Sequence, residues 1–167
     1  MKKLTFVFLV SLIALAFLVA PVSAKTIRTE YTGSEECGDV IMSDARVWFS
    51  DGGLMHVRNG GIECTDIVDD DRITGEVFVT VNWNFKFTPQ NPYGPMWGTI
   101  RLDNEGGYWE GTWVGEITEL EGYSYIYAVM RGFGDYEGLQ ARATYFKDSP
   151  SSSTYQVTGF IMNPGGK

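Results

Sequence analysis

"GYWEGTWVGEI", residues 107–117, decides the fold. Trp109, Gly111, Trp113 and Gly115 fall on one side of an extended chain, large and small in turn, while Glu110, Thr112 and Glu116 fall on the other. Successive side chains of a strand point to opposite faces, so the segment reads as a strand with one dry and one wet side. Alternating large and small side chains fill the interior of a small barrel, and glycine lets a strand bend round a corner.

The same period of two recurs outward from this segment. In "EVFVTVNWNFKF", residues 76–87, Val77, Val79, Val81, Trp83, Phe85 and Phe87 share one face. Leu139, Ala141, Ala143 and Tyr145 do so in residues 137–146. Further strands are expected at 26–32, 44–50, 54–59, 96–103, 123–131 and 154–162. Turn chemistry separates many of them, as in "SDGG" (50–53), "DNEGG" (103–107) and "GFGDYEG" (132–138). No sustained helical period interrupts the pattern. The expected class is therefore all-β, a small closed antiparallel barrel of about eight strands, with a β-sandwich as the alternative.

The first 24 residues, "MKKLTFVFLVSLIALAFLVAPVSA", read differently: a lysine pair, a long apolar run, then Val22 and Ala24. That is the pattern of a secretory signal cleaved after Ala24, an uncleaved anchor being the alternative. A single barrel domain is expected over 25–167, exported to the periplasm or the medium. Without Lys2 and Lys3 it carries 11 basic and 21 acidic residues, a net charge of −10. Such a surface repels phosphate backbones and anionic headgroups, which argues against nucleic-acid partners and, after cleavage, against a membrane partner. Cys37 and Cys64 both fall in the exported part, where a disulfide is expected rather than two free thiols. With His56 as the lone histidine they do not make a zinc set, and no metal or cofactor is expected.

Three segments carry a family likeness: "LMHVRNG" (54–60), "GYWEGTWVGEI" (107–117) and "GFGDYEGLQARATYF" (132–146), with Gly132, Gly134, Tyr136 and Gly138 marking its glycine-rich turn. The chain resembles exported bacterial proteins related to the allene oxide cyclase and dirigent barrels. The resemblance implies an eight-stranded antiparallel barrel with an apolar cavity, and a homotrimer as a common assembly. It carries no catalytic residue over.

Candidate sites follow from side-chain chemistry. His56 and Arg58 alternate on one face, where an imidazole could move a proton and a guanidinium could hold an anion; the bland alternative is a hydrogen-bonded pair beside a turn. Trp83, Trp97, Trp109, Trp113, Tyr123, Tyr125 and Tyr127 offer ring surface with polar tips, suited to an amphipathic ligand. The three tyrosines share one face of one strand and could instead form a subunit contact. Asp66, Asp69, Asp70 and Asp71 lack the spacing of a calcium loop and read as a solvated turn. Glu110, Glu116, Glu119 and Glu121 fall on the wet face or beside a turn, away from the tryptophans. The segment "TPQNPYGPMW" (88–97), with three prolines, is expected to be a loop capping one end.

Three functions are compatible with these residues. The first is a binding module for a small apolar or amphipathic molecule, without turnover. The second is an isomerase or cyclase using His56 as base. The third is a structural or interaction protein with a packed barrel.

Overall fold

The computed structural model describes residues 26–149 and 152–164. The segment read as a signal, residues 1–24, lies outside them. Among the described residues nine strands follow one another: β1 (Ile27–Cys37), β2 (Arg46–Phe49), β3 (Met55–Val68), β4 (Gly75–Phe87), β5 (Pro92–Asn104), β6 (Gly107–Ile117), β7 (Ser124–Gly134), β8 (Gln140–Lys147) and β9 (Thr154–Asn163). All pairings are antiparallel, and from β3 to β9 each strand pairs with the next. β1 pairs with β9 on one side and with β3 on the other, which closes a ring of eight strands. The short β2 stands outside that ring, paired only with β3.

Alternation sets the two faces as expected. Trp109 and Trp113 of β6 are buried while Glu110, Thr112 and Glu116 are exposed. Val77, Val81 and Phe85 of β4, Ala128 and Met130 of β7, and Ala141, Ala143 and Tyr145 of β8 complete the dry interior. The small residues of β6 are required by its neighbour: a Cβ on Gly111 would run into the carbonyl oxygen of Val129.

Two strands are longer than the sequence pattern suggests. β1 continues past residue 32 to Cys37, and β3 continues past residue 59 to Val68. In β3 a bulge between Val57 and Gly60 sets Arg58 and Asn59 against the single residue Asn82. Asn59 takes φ 60° there, and the extra residue shifts the inward positions from odd to even numbers. β5 also begins earlier, at Pro92, so the expected loop 88–97 shrinks to a turn. Thr88 and Asn91 close that turn with backbone and side-chain hydrogen bonds.

One end of the barrel is plugged. The turn after β3 lays Ile73 across it, only 1% exposed. Trp109 Nε1 donates to the Arg72 carbonyl at 2.6 Å, and its ring stacks on Tyr136 at 5.3 Å. Asn104 Nδ2 reaches the carbonyls of Asp71, Arg72 and Thr74, while its Oδ1 accepts from Tyr136 Oη at 2.8 Å. Asp69 accepts from the Thr32 amide at 2.8 Å, and Asp70 pairs with Arg72 at 2.6 Å. Asp69, Asp70 and Asp71 are thus the turn expected of them, tied to the barrel rim.

Candidate functional site

Towards the other end the interior is open. A cavity of about 530 Å³ lies between the strands, its buried wall formed by Val81, Phe85, Ile100, Trp113, Tyr145 and Glu35. The wall is largely apolar because every inward position of β4 to β6 near it carries a hydrocarbon or aromatic side chain or glycine. The mouth is bordered by Asp39, Lys147, Ser153 and Tyr155. Lys147 Nζ rests 4.7 Å from the centre of the Tyr155 ring.

The seam between β1 and β3 supplies the polar part. Cys37 faces Cys64, and two residues away Glu35 faces Asp66. The cysteines are joined in a disulfide with Cα atoms 4.1 Å apart. Period two then places Glu35 and Asp66 on the inner face as well. They are 5% and 1% exposed, so two carboxyls sit inside an apolar barrel. Glu35 borders the cavity directly, whereas Asp66 lies behind Tyr145, whose hydroxyl donates to Asp66 Oδ2 at 3.3 Å.

These groups are under-satisfied. Among the described residues Asp66 Oδ1 has no hydrogen-bond partner, and neither does the indole N–H of Trp83 on the cavity wall. Glu35 Oε2 lies 3.4 Å from Cys37 Sγ, but a disulfide sulfur carries no proton to donate. Burial, reinforced by the Asp66 charge, holds the Glu35 carboxyl well above the usual carboxylate range. Burial likewise raises Asp66 to about 7, against the opposing hydrogen bond from Tyr145. Desolvation raises Tyr145 and Tyr31 too, so both phenols keep their protons. Among the described residues the only group with metal-ligand spacing is Glu35, Cys37 and Cys64, and its two sulfurs are bonded to each other.

The residues singled out from sequence divide sharply. Trp83 and Trp113 line the cavity, Trp113 Nε1 being shared between the carbonyls of Thr80 and Thr99. Trp109 belongs to the plugged end. Trp97 lies on the outer face, because its inward neighbour on β5 is Met96; the Arg58 guanidinium sits 4.7 Å from its ring. Tyr123, Tyr125 and Tyr127 also face outward, since the inward residues of β7 are Ser124, Ile126, Ala128 and Met130. Tyr123 and Tyr125 contact Phe146 there, and Tyr127 is 56% exposed.

His56 and Arg58 are outside as well. His56 Nδ1 meets Asn84 Oδ1 at 2.7 Å, Nε2 meets Ser50 Oγ at 3.1 Å, and the ring stacks on Trp48. Arg58 donates to the carbonyls of Val57 and Trp83 and to the same Asn84 oxygen. It therefore satisfies backbone acceptors freed by the bulge. The shared oxygen can only accept, so the His56 proton resides on Nδ1. Both side chains are engaged in holding β2, β3 and β4 together and neither enters the cavity.

Glu35 and Tyr145 escaped sequence reasoning as site residues, and Asp66 was read into the solvated turn. The signal that would have found the carboxyls is the cysteine pair: an inward disulfide between antiparallel strands sets the residues two before Cys37 and two after Cys64 opposite each other, also inward. No family model and no curated protein matches the chain.

Proposed function

We propose that this is an exported binding protein that holds a small apolar or amphipathic molecule in its barrel without turning it over. The observation carrying this reading is the cavity of about 530 Å³, within the ~300–1,000 Å³ range of small-molecule sites and lined as such sites are. Trp83 and Trp113 contribute aromatic wall, and the unpartnered indole N–H of Trp83 offers a donor to an incoming polar group. A cavity of this size does not favour the solid-barrel reading. The outward position of His56 leaves the isomerase reading without its base in the cavity.

Export through residues 1–24 belongs to the same proposal, and the Cys37–Cys64 disulfide is consistent with an oxidising compartment. The likeness to the allene oxide cyclase and dirigent barrels remains part of this proposal, and an eight-stranded ring is the architecture it implies. The outer face of β6 and β7, where Val114 and Tyr127 are exposed beside Tyr125, is the surface a homotrimer would draw on.

Native mass spectrometry of the mature protein, purified without detergent from its host's exported fraction, tests the reading. An added small mass should be present and absent from a Val79→Trp variant, whose indole would project into the cavity. A bare wild-type mass, together with no uptake of a neutral apolar dye, would overturn it.

A further inference from the structure

We propose that the polar end of the cavity recognises the protonated amine of an amphipathic ligand, with Glu35 as its counter-ion and the aromatic walls enclosing its apolar body. The proposal rests on the binding function above and names the ligand's class.

The chemistry of the seam points to a cation. Glu35 borders the cavity, is 5% exposed, and receives no hydrogen bond from any protein N–H or O–H among the described residues. Its cross-strand partner Asp66 has one oxygen satisfied by Tyr145 and one with no partner. At the seam, carboxyl oxygens thus outnumber the donors that reach them, and Glu35 presents its acceptors to the cavity. An ammonium supplies three donors and a charge of the opposite sign, which a hydroxyl does only in part. A carboxylate or phosphate ligand would meet the Glu35 carboxyl on the wall, whereas the lining cation Lys147 lies at the mouth over Tyr155. No ion pair joins Lys147 to Glu35; its ammonium is engaged over Tyr155 at the mouth. Trp83, Phe85 and Trp113 add aromatic faces, which favour cations as well as apolar chains.

Proton balance follows. The titratable or charged groups around the pair are Tyr31 on β1, Tyr145 and Lys147 on β8, Tyr155 on β9 and Asp39 at the mouth. With Asp66 at about 7 and Glu35 raised, the empty pair retains protons near neutrality. A bound ammonium keeps its own proton and favours the carboxylate form of Glu35, so the carboxyl proton passes to solvent. Amine affinity should therefore rise with pH while neutral ligands show no such trend.

The test is calorimetric titration of the mature protein with decylamine, decanol and decanoate, each below its aggregation limit. The amine should bind about tenfold or more tightly than the alcohol, the gain expected of a charge-assisted hydrogen bond over a neutral one. The decanoate should bind weakest. Amine uptake at pH 6 should release about one proton, read from buffers of different ionisation enthalpy. Decanol should displace the amine, which separates the cavity from attraction to the acidic surface. Glu35→Gln should erase the amine preference over the alcohol and the proton release. Equal affinity for amine and alcohol, amine that decanol does not displace, or uptake without proton release would overturn the amine proposal and leave the binding function standing. Failure of all three probes to bind would overturn both. The wild-type series decides the matter even if the variant does not fold.

Discussion

The two ends of the barrel are built from the same strands and treat polar groups in opposite ways. At the plugged end, Asn104, Tyr136, Trp109, Asp69 and Asp70 satisfy one another or nearby backbone groups. Along the cavity wall and behind it, the Trp83 indole N–H and Asp66 Oδ1 are buried with no such partner among the described residues, and the Glu35 carboxyl is buried on the wall itself. An unsatisfied buried polar group costs about 1–3 kcal/mol, so a fold retains one only against its own stability. The contrast separates an end whose polar groups hold the structure together from one that the proposed function would use.

The comparison can be broken most forcefully at the plugged end. Trp109→Ala should lower stability by about 3–5 kcal/mol, because it removes a fully buried indole together with its bond to Arg72. Urea denaturation of the variant checks this, and a loss under ~1 kcal/mol would show that the plug contributes little. Next in size is the seam. Replacing both Cys37 and Cys64 by serine should cost about 3 kcal/mol, from a link that spans 27 residues. The same denaturation series reads it.

A smaller effect sharpens the contrast through pH. Glu35 and Asp66 bind protons more tightly in the folded chain than in the unfolded one. The folded state therefore holds the excess protons above the ordinary carboxylate pKa. Stability should fall as pH rises from about 4 through the Asp66 value of about 7, with Glu35 contributing in the same direction. Asp70 has the opposite sign, since Arg72 lowers it; its contribution is lost only as pH falls below the ordinary carboxylate range. A Glu35→Gln/Asp66→Asn double variant should flatten the decline between pH 5 and 8 by ~2–4 kcal/mol relative to wild type. Parallel curves for the two proteins would refute the assignment.

The smallest changes are expected at the residues that attracted notice first. Trp83→Phe should alter stability by less than ~1 kcal/mol, since its N–H has no bond to lose. His56→Ala should cost about 1 kcal/mol through its contacts with Asn84 and Trp48, and should leave decanol affinity unchanged. A shift in that affinity would bring His56 back into the binding event.

How much of this was legible depended on whether alternation kept its usual sense. β4 and β6 wear apolar residues inside and polar ones outside, so their faces and the inward Trp83, Trp109 and Trp113 could be read directly. In β1 and β3 the inward series includes Glu35 and Asp66, which looks wet although it is dry. Both strands consequently seem to end early, and the carboxyls of the candidate site lie in those further parts. Tyr123 and the β7 tyrosines show the converse, because Ser124 and Ala128 occupy the inner face while Tyr123, Tyr125 and Tyr127 decorate the outer one. Packing against opposite strands decides between such faces, and no window of a single strand contains that information. The Arg58–Asn59 bulge was equally hidden, since it exists only relative to β4.

The strand order also bears on assembly. β1 has to join β9, at the far end of the chain, before the ring is complete. A chain delivered from its N-terminus therefore holds β1 with half its partners missing until the last strand arrives, and closing so long a loop is slow. The disulfide ties β1 to β3, a partner much nearer in sequence, and so can secure one edge in advance. Its value extends beyond the finished barrel: it gives the earliest strand a fixed berth while the rest of the wall is still being laid.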